Sequence, residues 1–364
     1  MKHILDILIM YCLCFIVVMT TSCNKNMEQM AMDYQSGVVL IQTIEYYEME
    51  LGDGSSIYFT GSDFDKETKE FLGLSTDLYS LTPDEFYGTG FFISEDGKIA
   101  TNRHVVEGNI TEKEAKEGLR KLINAIEEEV EKEKEEYTYY KNETTSILVQ
   151  EIMKDSNPEI ILAEKDALEF FNQRLELIDI LIAQLKQINP LYLHYENIIR
   201  IGYNNTFITT TDELKLCEIR AVSDTDDLAI IQLHDKRTPE GRHVFELTQK
   251  DMIQHYSYGE FLMHIIDKDK NEKLMMIGYN KGPEGGITKE GLNAQHTMGS
   301  VSRYMESARD FEYDIPALDG SSGSPVLNRR GQVVGINFAG AQLSNSFNYA
   351  IKEKYLFDLK QTIE

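Results

Sequence analysis

Ser322 lies in a segment whose residue types are those that nucleophilic catalysis by serine requires. The segment reads DGSSGSP over residues 319–325, and a second apolar stretch, GQVVGIN, follows a short turn. A serine nucleophile needs a tight turn and N–H groups that point at the oxygen that becomes negative during attack. Gly320 allows that turn because it has no Cβ, and the N–H groups of Gly320 and Ser322 would form the oxyanion hole. The competing interpretation is an ordinary polar turn between two strands.

A histidine and an aspartate stand in two earlier segments that favour the catalytic interpretation. GTGFFIS and TNRHVV predict two strands joined by a turn, with His104 just beyond the second strand. SDTDDLAIIQL predicts an acidic turn that leads into an apolar strand, with Asp227 at the junction. Asp224 and Asp226 compete with Asp227, but the Asp-Leu-Ala-Ile pattern favours Asp227. The order along the chain is His, Asp, Ser, which is one of the three orders in which such triads occur.

The three segments resemble, in the same order, the catalytic blocks of the trypsin-like serine peptidases. They are most similar to the bacterial high-temperature-requirement (Do-type) periplasmic branch, over residues 36–108 and 196–350. The resemblance implies that His104 is the general base, that Asp227 orients it and that Ser322 attacks the substrate. Two residues depart from the family pattern. Ser321 stands where Asn or Asp is usual, and Ser324 replaces the second Gly of Ser-Gly-Gly-Pro.

The resemblance and the strand patterns together predict a mainly β fold. We expect a double six-stranded β-barrel of the trypsin type with a large α-helical hairpin inserted in the first barrel. The predicted boundaries are 37–110 and 196–240 for the first barrel, 111–195 for the hairpin, and 241–364 for the second barrel with a C-terminal helix. Little chain remains after the second barrel, so we expect no peptide-binding PDZ domain of the kind that the Do-type branch usually carries.

The inserted segment has apolar residues at helical spacing. They are three or four positions apart, close to a coiled-coil heptad, and include Leu119, Ile123, Ile126 and Val130, then Leu168, Phe171, Leu175, Ile178, Ile182 and Leu185. A turn at residues 155–158 would make the two helices antiparallel, and residues 138–146 are weak enough in helix signal to interrupt the first. The hairpin would bind a partner, gate the substrate or form an oligomer contact. A self-packed decoration is the competing interpretation.

The N-terminus predicts export. An apolar run over residues 4–19 follows Lys2 and His3, and small residues precede Cys23, as in bacterial lipoprotein signals. We therefore expect a signal peptide over residues 1–22, a lipid on Cys23 and a tether to residue 36. An ordinary cleaved signal and an uncleaved anchor are the alternatives. The chain would be a membrane-anchored lipoprotein of the bacterial cell envelope, facing the periplasm or the cell surface. Its Cys217 would be left without a disulfide partner.

Composition narrows the partners. The formal net charge of −25 argues against binding nucleic acid through a basic surface. No cysteine and histidine spacing typical of zinc appears, so we expect neither a metal nor a cofactor, and the substrates would be proteins or peptides. By resemblance, the pocket for the residue before the scissile bond would be bordered by Ala317, Asn337, Phe338 and Ala339. These residues favour a small or apolar side chain over Lys or Arg.

The sequence thus predicts a serine endopeptidase that works through a His-Asp-Ser triad and an acyl-enzyme. The alternative is a latent or non-catalytic protease-like lipoprotein that binds protein partners through the helical insertion. The complete triad favours the first of these functions. Ser324 and the size of the insertion are the features that keep the second open.

Overall fold

The computed structural model describes residues 27–155, 157–208, 210, 213–251, 253, 272–303, 309–338 and 348–364. The predicted signal peptide, Cys23, Ala339 and the strand that the apolar run 261–266 predicts lie outside these residues. In the part of the chain that is described, no helix combines the length and the apolar character needed to cross a membrane. The chain divides into two compact units. The first contains residues 1–44, 85–107 and 197–364, and the second contains residues 45–84 and 108–196.

Strands precede and follow one long helical insertion in the order of the elements. The helices are α1 (Met27–Tyr34), α2 (Glu112–Met153), α3 (Pro158–Leu185), α4 (Gly282–Gly286) and α5 (Glu353–Gln361). The strands before the insertion are β1 (Val38–Leu51), β2 (Ser56–Phe59), β3 (Phe64–Asp65), β4 (Glu70–Phe71), β5 (Asp84–Phe92) and β6 (Lys98–Thr101). After it come β7 (Pro190–Tyr203), β8 (Lys215–Val222), β9 (Ala229–Leu233), β10 (Lys273–Gly278), β11 (Ile287–Thr288), β12 (Gly291–Leu292), β13 (Gln295–Arg303), β14 (Asp310–Tyr313), β15 (Pro325–Asn328), β16 (Val333–Phe338) and β17 (Asn348–Lys352).

The first barrel has six strands in the order β1-β5-β6-β9-β8-β7, and a pairing between β1 and β7 closes it. Strand β9 is buried along its whole length because its residues, AIIQL, face packed chain on both sides. Its partner β6 is antiparallel, with Thr101 opposite Ala229. This register brings the chain segment after β6 beside the segment before β9. These are the segments that carry His104 and Asp227.

The second barrel is closed in the order β10-β13-β14-β17-β16-β15. Large aromatic and aliphatic side chains fill it, among them Phe311, Tyr313 and Val326, each fully buried. Strand β15 begins directly after the Ser322 segment, so its pairing with β10 and β16 holds the end of that segment in place. The predicted mainly β, trypsin-like fold with a helical insertion in the first barrel is confirmed.

The inserted hairpin belongs to the second unit and consists of α2 and α3. Thr111 and Glu114 form a capping box at the start of α2, and Asn157 caps α3 by accepting from Glu159 N–H at 2.9 Å. The helices have 42 and 28 residues, or about 63 and 42 Å at about 1.5 Å per residue. Strand β7 begins at Pro190, so strand structure resumes six residues before the predicted boundary.

The packing inside the hairpin explains why α2 runs without interruption through residues 138–146. Val130, near the middle of α2, forms a small buried cluster with Ile178 and Ile182 in the last two turns of α3. Farther along, the rings of Tyr140 and Phe171 stack at a centroid distance of 6.2 Å. This aromatic contact compensates for the low helix propensity of the neighbouring Thr and Ser residues.

Candidate active site

His104 follows β6 in a single turn of 3₁₀-helix, Arg103–Val105. The preceding Asn102 is fully buried, and its side-chain amide donates to the carbonyl of Asp227 at 2.8 Å. Val105 is buried in the core of the first barrel. His104 therefore lies between two buried residues, Asn102 and Val105, while its own ring remains partly exposed.

Asp227 contacts His104 at two points. Its Oδ2 lies 2.6 Å from Nδ1 of the His104 ring, and its Oδ1 accepts from the main-chain N–H of His104 at 2.9 Å. Burial by itself would raise the pKa of Asp227. The hydrogen bonds from His104 and from the main chain of Arg103, together with the charge of His104, outweigh burial and hold this pKa below its ordinary value. An ionised Asp227 keeps the His104 proton on Nδ1, and this leaves Nε2 to act as a base.

The other two acidic residues of the same turn have different surroundings. Asp226 accepts from the Ser223 hydroxyl at 3.0 Å and pairs with Arg309 at 3.1 Å. The side chain of Asp224 is exposed. Of the three candidates, Asp227 is the one that contacts His104, and Asp226 shapes the turn before it.

Ser322 lies in a loop with left-handed backbone on either side of it. Gly320 and Gly323 both have φ of +87°, a value that glycine adopts without strain. The carbonyl of Ser322 accepts from the N–H of Thr89 at 2.8 Å, and its side chain is 8% exposed. Among the described residues, no backbone carbonyl accepts from the N–H of Gly320 or of Ser322. Both donors of the predicted oxyanion hole are thus available to a substrate oxygen.

The peptide between Asp319 and Gly320 is held by the turn at Lys281. The main-chain N–H of Lys281 donates to the carbonyl of Asp319 at 2.6 Å. Lys281 itself has φ of +64°, which is uncommon for a residue with a side chain. Since the carbonyl and N–H of a trans peptide point in opposite directions, this bond turns the Gly320 N–H away from Lys281. The left-handed turn at Lys281 therefore holds the N–H of Gly320, a predicted oxyanion donor, on the side away from Lys281.

Thr89 is a buried link between the two barrels of the first unit. Its hydroxyl donates to the carbonyl of Gly320 at 2.7 Å and accepts from the N–H of Tyr279 at 3.0 Å. The Thr101 hydroxyl in turn donates to the carbonyl of Thr89 at 2.8 Å. One side chain thereby connects β5, the end of β10 and the Ser322 loop. The GTG pattern predicts a strand here but gives no signal for this hydrogen-bonding role.

Ser321, one of the two departures from the family pattern, is fully buried and satisfied. Its hydroxyl donates to the carbonyl of Leu318 at 2.6 Å. The side-chain amide of Asn337 donates to the Ser321 carbonyl at 2.8 Å, and the hydroxyl of Tyr313 donates to Asn337. A chain of hydrogen bonds thus runs from the second barrel to the residue before Ser322. This network was not visible in the sequence because its members are far apart along the chain.

Ser324, the second departure, occupies space that Gly278 leaves open. An ideal Cβ built on Gly278 would overlap the hydroxyl oxygen of Ser324. The Ser324 side chain is fully buried, and among the described residues its oxygen has no hydrogen-bond partner. The loop accommodates a hydroxymethyl group in place of a hydrogen because the neighbouring strand contributes a glycine.

The predicted pocket residues have different degrees of burial. Ala317 and Phe338 are partly exposed, and the Phe338 ring lies 6.3 Å from the ring of Tyr349. Asn337 is fully buried, with its amide engaged at Ser321 as described. The assignment of Ala317, Asn337, Phe338 and Ala339 to a substrate pocket stays a prediction. Within the described ranges, no group of His, Cys, Asp and Glu side chains is arranged to hold a metal ion.

Two solved structures are among those that are similar to this chain. The chain is similar in structure to a serine endoprotease from Yersinia pestis, with 12% identity and a TM-score of 0.43, covering 94% of this chain and 68% of the other. It is also similar to the active form of a protease from M. tuberculosis, with 12% identity and a TM-score of 0.41, covering 92% and 83%.

One family model matches part of the chain. Residues 201–336 match the family described as a trypsin-like peptidase domain. The matched range contains Asp227 and Ser322, and His104 lies before it. Over residues 201–336, therefore, the chain is similar to a trypsin-like peptidase domain.

Proposed function

We propose that the chain is a serine endopeptidase with His104, Asp227 and Ser322 as its triad. The observation that carries the proposal is the two-point contact between Asp227 and His104, at 2.6 and 2.9 Å. It occurs in the same compact unit as a serine that lies between two glycines of left-handed conformation. A structural ion pair does not require such a serine loop, whereas acyl transfer requires both parts.

The chemistry proceeds in two half-reactions. Nε2 of His104 takes the proton of the Ser322 hydroxyl as its oxygen attacks the scissile carbonyl carbon. The negative oxygen that forms accepts from the N–H groups of Gly320 and Ser322. The C–N bond then breaks, and His104 returns the proton to the leaving amine. Water, deprotonated by His104, attacks the acyl-enzyme and releases the carboxylic acid and the free serine.

Protein or peptide substrates follow from the peptidase domain. The finer preference that we propose, a small or apolar residue before the scissile bond, rests on Ala317 and Phe338 and on the predicted role of Ala339. A library of unstructured peptides, with the new termini read by mass spectrometry, tests activity and preference together. We expect cleavage after small or apolar residues by the wild type and none by Ser322→Ala. Equal cleavage by a folded Ser322→Ala protein would overturn the proposal, and cleavage after Lys or Arg would overturn the pocket assignment alone.

We also propose that the chain is exported and anchored through a lipid on Cys23. The support is the sequence before Cys23, with its apolar run and small residues. Mass spectrometry of the mature N-terminus is the test, with Cys23→Ala as the comparison. A diacylglyceryl group on Cys23 is expected in the wild type, and membrane association should be lost in the variant. A mature chain that begins elsewhere, with no lipid, would contradict the proposal.

A further inference from the structure

The outer face of α3 carries a second apolar stripe besides the one that faces α2. Its members are spaced alternately three and four residues apart through three heptads, and they are Ile160, Ala163, Ala167, Phe170, Arg174, Leu177 and Leu181. This is the spacing of the seam in a two-stranded coiled coil. The large apolar members are well exposed, at 46% for Ile160, 58% for Leu177 and 40% for Leu181. We refer to these seven residues as the outer stripe.

The outer stripe differs from the residues that hold the hairpin together. The contacts between α2 and α3 use Ile178 and Ile182, which are buried against Val130. Phe170 is the one member with a ring contact to α2, at 6.4 Å from Tyr137, and it is still 47% exposed. A heptad repeat maintained over most of a helix therefore has no partner for its exposed members within the described part of the chain.

The charges on α3 indicate what covers the stripe. Arg174 is its only charged member, and its guanidinium lies 5.5 Å from the centroid of the Phe170 ring. Asp166 lies beside the stripe two turns earlier. Among the described residues, neither Arg174 nor Asp166 forms an ion pair. Because these opposite charges lie on either side of Phe170, an identical helix running the other way would bring each Arg174 within side-chain reach of the Asp166 of its neighbour.

The sizes of the stripe residues fit the same arrangement. In an antiparallel pair centred between residues 168 and 169, Phe170 of one copy faces Ala167 of the other. Leu177 then faces Ile160, and Arg174 faces Ala163. Two large residues thus never compete for the space beside Ala167, and the long Arg174 side chain crosses a small residue on its way to Asp166. A parallel pair would instead place Arg174 against Arg174, which is unfavourable.

We propose that the outer stripe of α3 is a self-association surface on which a second copy of this chain packs antiparallel, with Arg174 of each copy paired to Asp166 of the other. The net charge of the insertion argues against an anionic membrane as the occupant. Residues 111–195 contain 19 Asp and Glu against 11 Lys and Arg, and such a segment is repelled by negative lipid headgroups. The proposal concerns the hairpin and does not depend on the peptidase activity.

The test uses the full chain in a density-matched detergent, studied by sedimentation equilibrium. Leu177→Glu and Leu162→Glu form a matched pair, because the two leucines are on the same helix and are 58% and 59% exposed, but only Leu177 belongs to the stripe. We expect a reversible dimer for the wild type and for Leu162→Glu. For Leu177→Glu we expect a dissociation constant raised by about tenfold or more, as for a buried interface residue.

Charge exchange tests the antiparallel direction. Arg174→Asp and Asp166→Arg should each be monomeric when studied alone. An equimolar mixture of the two variants should associate, because each variant supplies the charge that the other has lost. A wild type that stays monomeric from about 1 to about 100 μM, the range of weak but specific pairing, would overturn the proposal. Equal effects of Leu177→Glu and Leu162→Glu would overturn it as well. The proposal would also be overturned if the wild type were a monomer that binds vesicles of zwitterionic lipid and if Leu177→Glu abolished that binding.

Discussion

The hydroxyl of Ser324 occupies the space where a side chain at position 278 would have to be. Gly278 ends β10, and Ser324 closes the loop that presents Ser322. Although the two residues are 46 positions apart in the chain, the side chain at one position limits the size of the side chain at the other. The buried Ser324 oxygen has no hydrogen-bond partner in the part of the chain that the structure describes. The serine is therefore tolerated at this position and adds no hydrogen bond of its own to the loop.

This relationship predicts a size exchange. Gly278→Ala should lower the free energy of unfolding by about 1–3 kcal/mol, the usual cost of overpacking a dense site, and should slow any acylation of Ser322. Adding Ser324→Gly removes the overlapping oxygen and should recover more than half of the loss. Chemical denaturation of the four proteins in this cycle is the measurement. Additive effects of the two substitutions would show that the residues do not compete for space.

Thr89 is expected to be a positioning residue. Thr89→Val keeps the shape but leaves the Gly320 carbonyl and the Tyr279 N–H without their partner, at a cost of about 1–3 kcal/mol per unsatisfied buried group. We expect lower stability and a rate of acylation reduced by about tenfold or more. Thr89→Ser retains the hydroxyl and should restore the rate. If Thr89→Val and Thr89→Ser acylate equally fast, the hydroxyl does not hold the loop.

Gly320 should tolerate no side chain. Besides its φ of +87°, an added Cβ would lie 2.5 Å from the carbonyl oxygen of Tyr279 and closer still to the nitrogen of Gly282. Gly320→Ala should therefore displace the oxyanion donor and reduce acylation by about 10²- to 10³-fold, as loss of such a donor does.

The matched control for Gly320→Ala is Gly241→Ala. Gly241 has φ of +80°, and nothing lies within 4 Å of its ideal Cβ. The Gly241→Ala variant therefore measures the cost of placing alanine in left-handed backbone without the steric clash that Gly320→Ala also introduces. A comparable loss of activity in both variants would mean that backbone strain, and not the position of the donor, is responsible.

The fold could be predicted from sequence where the signals are local. Alternating and apolar runs predicted β1, β6, β9 and β16, and the three- and four-residue spacing predicted both arms of the hairpin. The interruption expected at residues 138–146 was wrong, because the stacking of Tyr140 on Phe171 depends on a residue of the other helix.

In the candidate site, too, the features that depend on local sequence could be predicted and the contacts between elements could not. The pairing of His104 with Asp227 follows from motif order, and the left-handed conformation of Gly320 follows from its residue type. The roles of Thr89, Lys281 and Tyr313 did not follow, because each is a hydrogen bond between elements distant in the chain. Thr and Tyr are common in strands, and the residue type alone does not predict which group each one will hydrogen-bond.

Glu353 predicts a dependence of stability on pH. It is buried at the start of α5, and burial, opposed by the hydrogen bond from Thr248 and increased by the charge of Asp251, raises its pKa to about 8. The folded chain thus holds this proton more tightly than the unfolded chain, whose pKa is near 4.5. Stability should be fully present below pH 4.5 and fall as pH rises toward 8, by up to about 1.4 kcal/mol per unit.

Glu353→Gln should remove this contribution and so gain stability relative to the wild type as pH rises through this range. Urea unfolding at several pH values is the measurement. Glu290→Gln, at an exposed carboxyl, controls for the loss of one negative charge. Parallel stability curves for the wild type and Glu353→Gln would contradict a raised pKa at this position.

The most direct test of the triad is the rate at which a fluorophosphonate probe phosphonylates the purified chain with loss of fluoride, with the modified residue identified by peptide mass spectrometry. The account predicts a single adduct on Ser322, none in Ser322→Ala or His104→Ala, and a rate lowered by about 10⁴-fold in Asp227→Asn, where the tautomer of His104 is wrong. A folded wild type that takes up no probe would contradict it. So would an Asp227→Asn protein that reacts as fast as the wild type.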